Sequence, residues 1–245
     1  SGTKQITTNG THDVAGYATA DVNVPTTAPA HYVEKTADGN GVLQNSAASF
    51  VNLSGVTSIG KGVLANQYSN VSFPANTSID MSSITTISTE EACSKMFDGT
   101  RGITSVDLSN LTTLSGGYAC NSMFNACTDL TSIDLSSLTT VSGSNACSGM
   151  FQGCTGLTSV DLSGLTTVSS GYACDGMFRS CTGLTSVDLS GLTTVSSGSA
   201  CQYMFSRCSA LTSIDLSSLT TISSSACMGM FQGCTGITTA KFNAL

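Results

Sequence analysis

The chain repeats itself every 27 residues. One copy, from residue 157, reads LTSVDLSGLTTVSSGYACDGMFRSCTG. A degenerate half-copy in residues 52–59 precedes the array, and the last full copy is one residue shorter than the others. A unit of this length cannot bury an apolar face alone, whereas stacked units can, so the repeat predicts a solenoid. The six full copies begin at residues 76, 103, 130, 157, 184 and 211.

Each copy divides into strand and helix signals. Val160 and Leu162 alternate with Asp161, which predicts a short strand with the carboxylate pointing outward. Residues 166–168 indicate a second, shorter strand. Apolar residues from Ala173 to Cys181 then recur at i, i+1, i+4, i+5 and i+8, which favours a helix of about two turns. We therefore predict a leucine-rich-repeat-like solenoid, with short parallel β-strands on one wall and short helices on the other.

The repeat resembles a known family. The pattern MFxxCTxLTSVDLSxLTTV, seen for example across the junction at residues 150–157, is similar to the BspA-like leucine-rich repeats of bacterial and protozoan surface proteins. The resemblance covers about residues 52–245. The repeats depart from the commonest repeat of that family by an extra Cys where each predicted helix begins. The resemblance implies a non-enzymatic recognition scaffold that is extracellular or exposed on a surface, and it implies no particular ligand.

The segment before the repeats is a different module. Short strand signals in residues 3–25 are separated by turn signals at Asn9-Gly10 and Gly16. The segment resembles ITxNGTYDVxxYAxAxVNV motifs in structural proteins of tailed phages and prophages of Gram-positive bacteria, with His12 where Tyr is usual. We expect a β-arm or small β module in residues 1–25, a linker in 26–31, an N-terminal cap with the degenerate repeat in 32–75, six repeats in 76–236 and a C-terminal cap in 237–245.

Composition excludes several partners. The 8 Lys and Arg against 15 Asp and Glu give a net charge of −7, which argues against nucleic acid and anionic membranes. Apolar runs are too short for a membrane-spanning helix, and we expect no secretory signal peptide in this chain. The only histidines, His12 and His31, lie outside the repeats. The usual catalytic constellations and phosphate loops are missing, so we expect neither an enzyme nor a cofactor.

Eleven cysteines form two rows with a C-x6-C spacing. Seven residues of helix separate the two sulfurs of a pair too far for a disulfide within one repeat. We interpret the rows mainly as small buried core residues, which favours folding in a reducing cytoplasm; inter-repeat disulfides stay an alternative, and a metal site is disfavoured because the repeats lack His. The first cysteine row is Cys93, Cys120, Cys147, Cys174, Cys201 and Cys227, and the second is Cys127, Cys154, Cys181, Cys208 and Cys234.

Carboxylates also recur once per copy, at the outward position of the predicted strand. Neighbouring carboxylates on stacked strands repel by roughly 1 kcal/mol in water, so hydroxyl hydrogen bonds or a weakly bound cation or ligand should offset the charge. The adjacent threonines of each copy stack too. We interpret them as a hydroxyl-rich surface for solvent or glycans rather than as an ice-binding face, because only one threonine of each adjacent pair points outward. The Asp row comprises Asp80, Asp107, Asp134, Asp161, Asp188 and Asp215.

The copies differ mainly before and along the exposed side of the predicted helix. Tyr and Arg are favoured at interaction hot spots, so those at variable positions are our ligand-contact candidates. We predict a recognition or structural protein: a phage tail-associated module that binds a protein or glycan on a host cell and docks on virion proteins through its N-terminal segment. The alternatives are a bacterial surface or secreted adhesin, or a self-assembling filament subunit, with homo-oligomers allowed. The contact candidates are Tyr118, Tyr172, Tyr203, Arg179 and Arg207.

Overall fold

The computed structural model describes residues 11–14, 17–21, 59–62 and 64–242. Strands β1 (Thr11–Val14) and β2 (Tyr17–Asp21) pair antiparallel, with Thr11 opposite Asp21. The predicted linker, most of the N-terminal cap with its half-copy, and the last residues of the C-terminal cap lie outside the described residues. The segment boundaries therefore stay predictions.

Two parallel sheets form two walls of a β-solenoid. Residues pair with their counterparts one repeat away, such as Val187 with Val160 and Val195 with Val168. The predicted parallel strands and 27-residue period are confirmed. The first wall contains β3 (Ser72–Asp80), β5 (Arg101–Asp107), β7 (Ser132–Asp134), β9 (Ser159–Asp161) and β11 (Ser186–Asp188), followed by the pair β13 (Ser213–Leu216) and β15 (Thr239–Phe242). The second contains β4 (Thr86–Ile87), β6 (Thr113–Leu114), β8 (Thr140–Val141), β10 (Thr167–Val168), β12 (Thr194–Val195) and β14 (Thr221–Ile222).

The third wall consists of turns, so the predicted helices are wrong. In the copy from residue 157, the N–H groups of Asp175 and Met177 donate to carbonyls three residues earlier, at 3.1 and 3.3 Å. The intervening N–H groups of Gly176 and Phe178 donate to the following repeat at 2.8 Å. We call this surface the turn wall: residues 61–70 except 63, 90–99, 117–126, 144–153, 171–180, 198–207 and 224–233.

A left-handed residue occurs at every fourth position of the turn wall. Tyr172, Gly176 and Ser180 have φ of 55°, 55° and 62° in one copy. Each such residue closes one turn and starts the next, so the apolar pairs recur at a period of four rather than 3.6. The equivalent residues of the other copies make three columns along the wall. The first is Glu91, Tyr118, Asn145, Tyr172, Ser199 and Ser225; the second is Lys95, Ser122, Gly149, Gly176, Tyr203 and Gly229; the third is Gly99, Ala126, Gly153, Ser180, Arg207 and Gly233.

Strand spacing explains why turns replace helices. Paired strands lie about 4.8 Å apart, whereas packed helices need 8–10 Å. A helical wall would therefore splay the repeats on one side. Turns that hydrogen-bond from repeat to repeat keep the strand spacing on all three walls. The same close spacing brings equivalent cysteines of neighbouring repeats into contact, since Cys147 Sγ and Cys174 Sγ lie 3.4 Å apart.

A phenylalanine column runs along the centre of the core. Its rings stack almost parallel at centroid distances of 5.2 to 5.8 Å from Phe97 to Phe231. The five rings from Phe97 to Phe205 are fully buried, whereas Phe231, in the last copy, is only partly buried. Each interior ring thus has a partner on both faces, and stacked aromatic pairs add about 0.5–1.5 kcal/mol beyond their buried area.

The C-terminal end of the solenoid exposes core positions. Phe242 is 63% exposed, although Leu216, its partner one strand earlier, is 5% exposed. Ile222 is 40% exposed, although its partner Val195 is fully buried. Within the described residues, the N–H groups that would reach a further repeat have no acceptor; they belong to Ser225, Cys227, Gly229, Phe231 and Gly233.

The phenylalanine column predicts that removing a ring costs more stability in the interior of the solenoid than at its C-terminal end. Phe151→Ala should lower the free energy of unfolding by about 3–5 kcal/mol, because it empties a fully enclosed site. Phe231→Ala, at the exposed end of the same column, should cost clearly less. Urea unfolding followed by circular dichroism measures both variants. Equal losses in the free energy of unfolding would show that enclosure by neighbouring rings does not stabilise the column.

Candidate functional site

The five contact candidates all lie on the turn wall. Tyr118 and Tyr172 belong to the first column and are 44% and 47% exposed. Asn145 stands between them in the column, so two repeats separate the rings, roughly 10 Å at the spacing of stacked strands. Arg207 is exposed in the third column. The structure therefore brings these side chains to one surface without placing them in one pocket.

Tyr203 and Arg179 form a separate, half-buried pair. The Arg179 guanidinium lies 5.7 Å from the centroid of the Tyr203 ring, within the range of a cation–π contact. On the next repeat, a Cβ at Gly229 would lie 2.4 Å from the Tyr203 ring. Gly229 is therefore needed for the ring to lie flat on the wall. Nearby, burial raises the pKa of Asp175, and Arg179 partly opposes this shift.

Four of the five candidates occupy left-handed positions. Tyr118, Tyr172, Tyr203 and Arg207 have φ between 52° and 64°. A side chain there costs roughly 1 kcal/mol relative to Gly, and other copies place Gly or Ser at equivalent positions without changing the wall. Folding therefore does not require the large side chains. Strained residues that the fold does not require point to function.

The Asp row lies on the first sheet wall. Parallel pairing places Asp80 beside Asp107, Asp107 beside Asp134, and Asp134 beside Asp161. Each carboxylate accepts the N–H of the residue two positions later at 2.9 to 3.0 Å. The pKa of Asp80 and Asp161 lies below the ordinary value because the side chain and backbone of Ser82 and Ser163, respectively, donate hydrogen bonds.

An open groove of about 540 Å³ runs along part of this row. Its polar lining includes Ser105, Asp107, Ser132 and Asp134. In the described part of the chain, no three His, Cys, Asp or Glu side chains are arranged to hold a metal ion. The hydrogen bonds already satisfy one oxygen of each carboxylate, and a role for the row in binding stays a prediction.

The cysteines are free thiols in two different settings. In the first row, Cys147 and Cys174 contact each other through sulfur at 3.4 Å. In the second row, each sulfur donates to a phenylalanine carbonyl of the preceding repeat at 2.9 to 3.1 Å. Burial raises the pKa of Cys127 and Cys181 to about 12, so neither is a ready nucleophile at neutral pH.

Sequence reasoning missed two features of the site. It missed the left-handed columns, although Gly, Asn and Ser recurring every four residues were a readable signal. It also missed the exposed end formed by Ile222, Met228 and Phe242, which no local pattern distinguishes from core positions.

The repeat pattern matches one family profile. Residues 39–170 and 146–244 match the BspA type leucine rich repeat region, in six copies. The chain belongs to this family. Among solved structures, the BspA-type chain is similar to a leucine-rich repeat protein from Bacteroides ovatus, with 17% identity over 86% of this chain and 69% of that chain and a TM-score of 0.35. No curated protein matches it. The described residues contain no helix long and apolar enough to cross a membrane.

The end of the Asp row predicts a measurable titration. Hydrogen bonds from Ser217 and Lys241 lower the pKa of Asp215 to about 2. Because the folded pKa is lowered, this contribution to stability is present above about pH 4 and is lost as the pH falls towards 2. Ser217→Ala should raise the pKa of Asp215 towards its ordinary value in an NMR titration. Ser218→Ala should leave it unchanged, and identical titrations in both variants would count against this geometry.

Proposed function

We propose that the turn wall is a recognition surface for a protein or glycan on a host cell. The observation that carries the proposal is the occupation of left-handed positions by Tyr118 and Tyr172, where Ser199 and Ser225 serve the fold equally well. Leucine-rich repeats generally mediate protein–protein interactions, and BspA-like proteins are often secreted or on surfaces.

Both exposed rings are suited to such contacts. Tyrosine supplies a rigid apolar face with a polar tip and loses little conformational entropy on binding. Serine and asparagine side chains between and beside the rings supply adaptable hydrogen bonds. With a net charge of −7, the chain suits neutral or basic partner surfaces better than anionic ones. Protein and glycan ligands share these requirements.

The carrier we propose is a phage virion, with the chain associated with the tail. The support is the N-terminal segment, whose residues 6–11, 13–14, 17–18 and 22–24 resemble structural proteins of tailed phages. This segment would dock on virion proteins and leave the solenoid facing the host. A bacterial surface or secreted adhesin would use the same wall and differs in its means of attachment. A folding stage in reducing cytoplasm suits the many buried thiols.

Binding of the labelled chain to whole bacterial cells tests this function. The double variant Tyr118→Ser and Tyr172→Ser should lose at least tenfold in affinity, because it removes both rings while keeping residues that the first column already tolerates. Ser199→Asn, which repeats the side chain of Asn145 in the same column, should bind as the unaltered chain does. Unchanged binding of the double variant would rule out the turn wall as the recognition surface.

Two further measurements on the same cells test the virion anchor and the role of the Asp row. A chain lacking residues 1–31 should still bind cells but should no longer bind virion proteins, if the N-terminal segment is the virion anchor. EDTA should leave binding unchanged if the Asp row acts through hydrogen bonds alone. Loss of binding with EDTA would instead assign a cation to the Asp row.

A second candidate function is self-assembly through the C-terminal end. Ile222, Met228 and Phe242 expose apolar area there, and the adjacent N–H groups lack acceptors within the described residues. Another copy of the chain would cover the apolar residues and supply carbonyls, as neighbouring repeats do throughout the solenoid. We propose that the occupant is this second copy.

Sedimentation equilibrium tests the assembly. The full chain should associate with rising concentration, whereas Phe242→Asp should shift association to at least tenfold higher concentration by placing a charge in the contact. Thr158→Asp, on the exposed side of the solenoid, is the matched control. A full chain that stays monomeric throughout the range would exclude this candidate.

A further inference from the structure

The two cysteine rows make different contacts along the solenoid. In the first row, sulfur follows sulfur from repeat to repeat, and Cys147 Sγ lies 3.4 Å from Cys174 Sγ. Hydrogen bonds between thiols also link Cys93 with Cys120, Cys174 with Cys201, and Cys201 with Cys227. The row holds six cysteines, an even number, so every member can have one partner.

The second row shows what a purely hydrogen-bonding cysteine looks like. Each of its sulfurs donates to a backbone carbonyl, as Cys154 does to Phe124 at 3.1 Å. Where the second row begins, Thr100 replaces Cys and donates to the Tyr68 carbonyl at the same distance, 3.1 Å. A hydroxyl can therefore replace a thiol in this row. In the first row, all six repeats place a cysteine, and Cys147 Sγ both donates to the Ala173 carbonyl at 3.1 Å and contacts the Cys174 sulfur at 3.4 Å. The contact between sulfurs is what sets this row apart from the second.

Backbone spacing at the first row suits a covalent link. The Cys147 N–H donates to the Ala173 carbonyl at 2.9 Å, so consecutive repeats are directly hydrogen-bonded at this position. Stacked chains at this spacing, about 5 Å, fall within the Cα separations of about 4.4–6.8 Å that disulfides span. The sulfurs need to approach by only about 1.4 Å to reach bonding distance.

We propose that the first cysteine row is a set of three disulfide sites, Cys93–Cys120, Cys147–Cys174 and Cys201–Cys227, that join neighbouring repeats when a disulfide oxidant such as oxidised glutathione is present. The second row stays reduced. Cys174 contacts both Cys147 and Cys201, and this pairing is the one that uses the 3.4 Å contact with Cys147 and leaves no cysteine of the row without a partner. The Cys201–Cys227 bond would clamp the last repeats after the folded chain leaves a reducing compartment, and all three bonds would form where the chain folds with the oxidant present.

The chemistry of each site is thiol–disulfide exchange. The Cys227 thiol loses its proton to water, and the thiolate attacks one sulfur of oxidised glutathione, forming a mixed disulfide and releasing one glutathione thiolate. Cys201, deprotonated in turn, attacks the Cys227 sulfur and releases the second glutathione. Two protein thiols are oxidised to one disulfide, and one oxidised glutathione is reduced to two thiols, so electrons and atoms balance.

Burial sets the order in which the sites close. Cys227 is partly exposed at the end of the solenoid, whereas Cys93, Cys120, Cys147 and Cys174 are fully buried. Exchange at the folded protein therefore starts with Cys201–Cys227. The interior sites react while the repeats are still assembling, because the oxidant cannot reach a fully buried sulfur in the folded solenoid.

The experiment uses the full chain, purified reduced and without oxygen. One sample stays folded in a glutathione redox buffer, and another is refolded from denaturant in the same buffer. Alkylation in denaturant and non-reducing peptide mapping then locate every cysteine. The refolded sample should show the three named disulfides and five alkylated second-row cysteines, and the folded sample should close Cys201–Cys227 first. Eleven alkylated cysteines after refolding, or bonds within the second row, would overturn the proposal.

Two variants of the same repeat make the test specific. Cys201→Ser should leave Cys227 reduced and keep the other two disulfides, whereas Cys208→Ser, in the second row, should keep all three. The oxidised unaltered chain should melt at least roughly 10 °C higher than the reduced one, because three bonds each close a loop of about 27 residues. An unchanged melting temperature with the bonds formed would exclude a clamping role. Circular dichroism confirms that each variant is folded before oxidation.

Discussion

The spacing between paired β-strands, about 4.8 Å, sets the rest of this structure. Two parallel sheets impose this spacing on every repeat. The third wall matches it with turns, because packed helices would need 8–10 Å. The turn wall does so because half of its N–H groups bond to the next repeat and the other half close turns within the repeat. The same spacing brings phenylalanine rings to 5.2 to 5.8 Å and first-row sulfurs to 3.4 Å.

Burial falls off in the last described repeat of the solenoid. Interior copies bury their phenylalanine, cysteine and leucine positions completely, whereas the last copy leaves Phe231 and Cys234 partly exposed. The stabilisation of each repeat therefore varies along the solenoid axis, although the repeat sequence barely changes. The exposed end and the most accessible first-row cysteine, Cys227, coincide for this reason.

The repeats differ mainly on the turn wall, where we propose that ligands bind. Sheet positions are nearly invariant from copy to copy because each strand must match two neighbours in register. The left-handed columns of the turn wall accept Gly, Ser, Asn, Lys, Tyr and Arg with the same backbone. Such a surface can change its chemistry without changing the fold, which suits a family of binding scaffolds.

The sequence by itself determined the solenoid, its 27-residue period, its parallel strands and the outward Asp row, because alternation around Asp161 and exact repetition are local properties of the chain. It did not determine the third wall. Apolar residues from Ala173 to Cys181 fit a two-turn helix almost as well as consecutive four-residue turns, and only the spacing imposed by the two sheets excludes the helix. The same tertiary constraint decided which sulfurs meet and which tyrosines share a surface, since both depend on contacts between residues 27 positions apart.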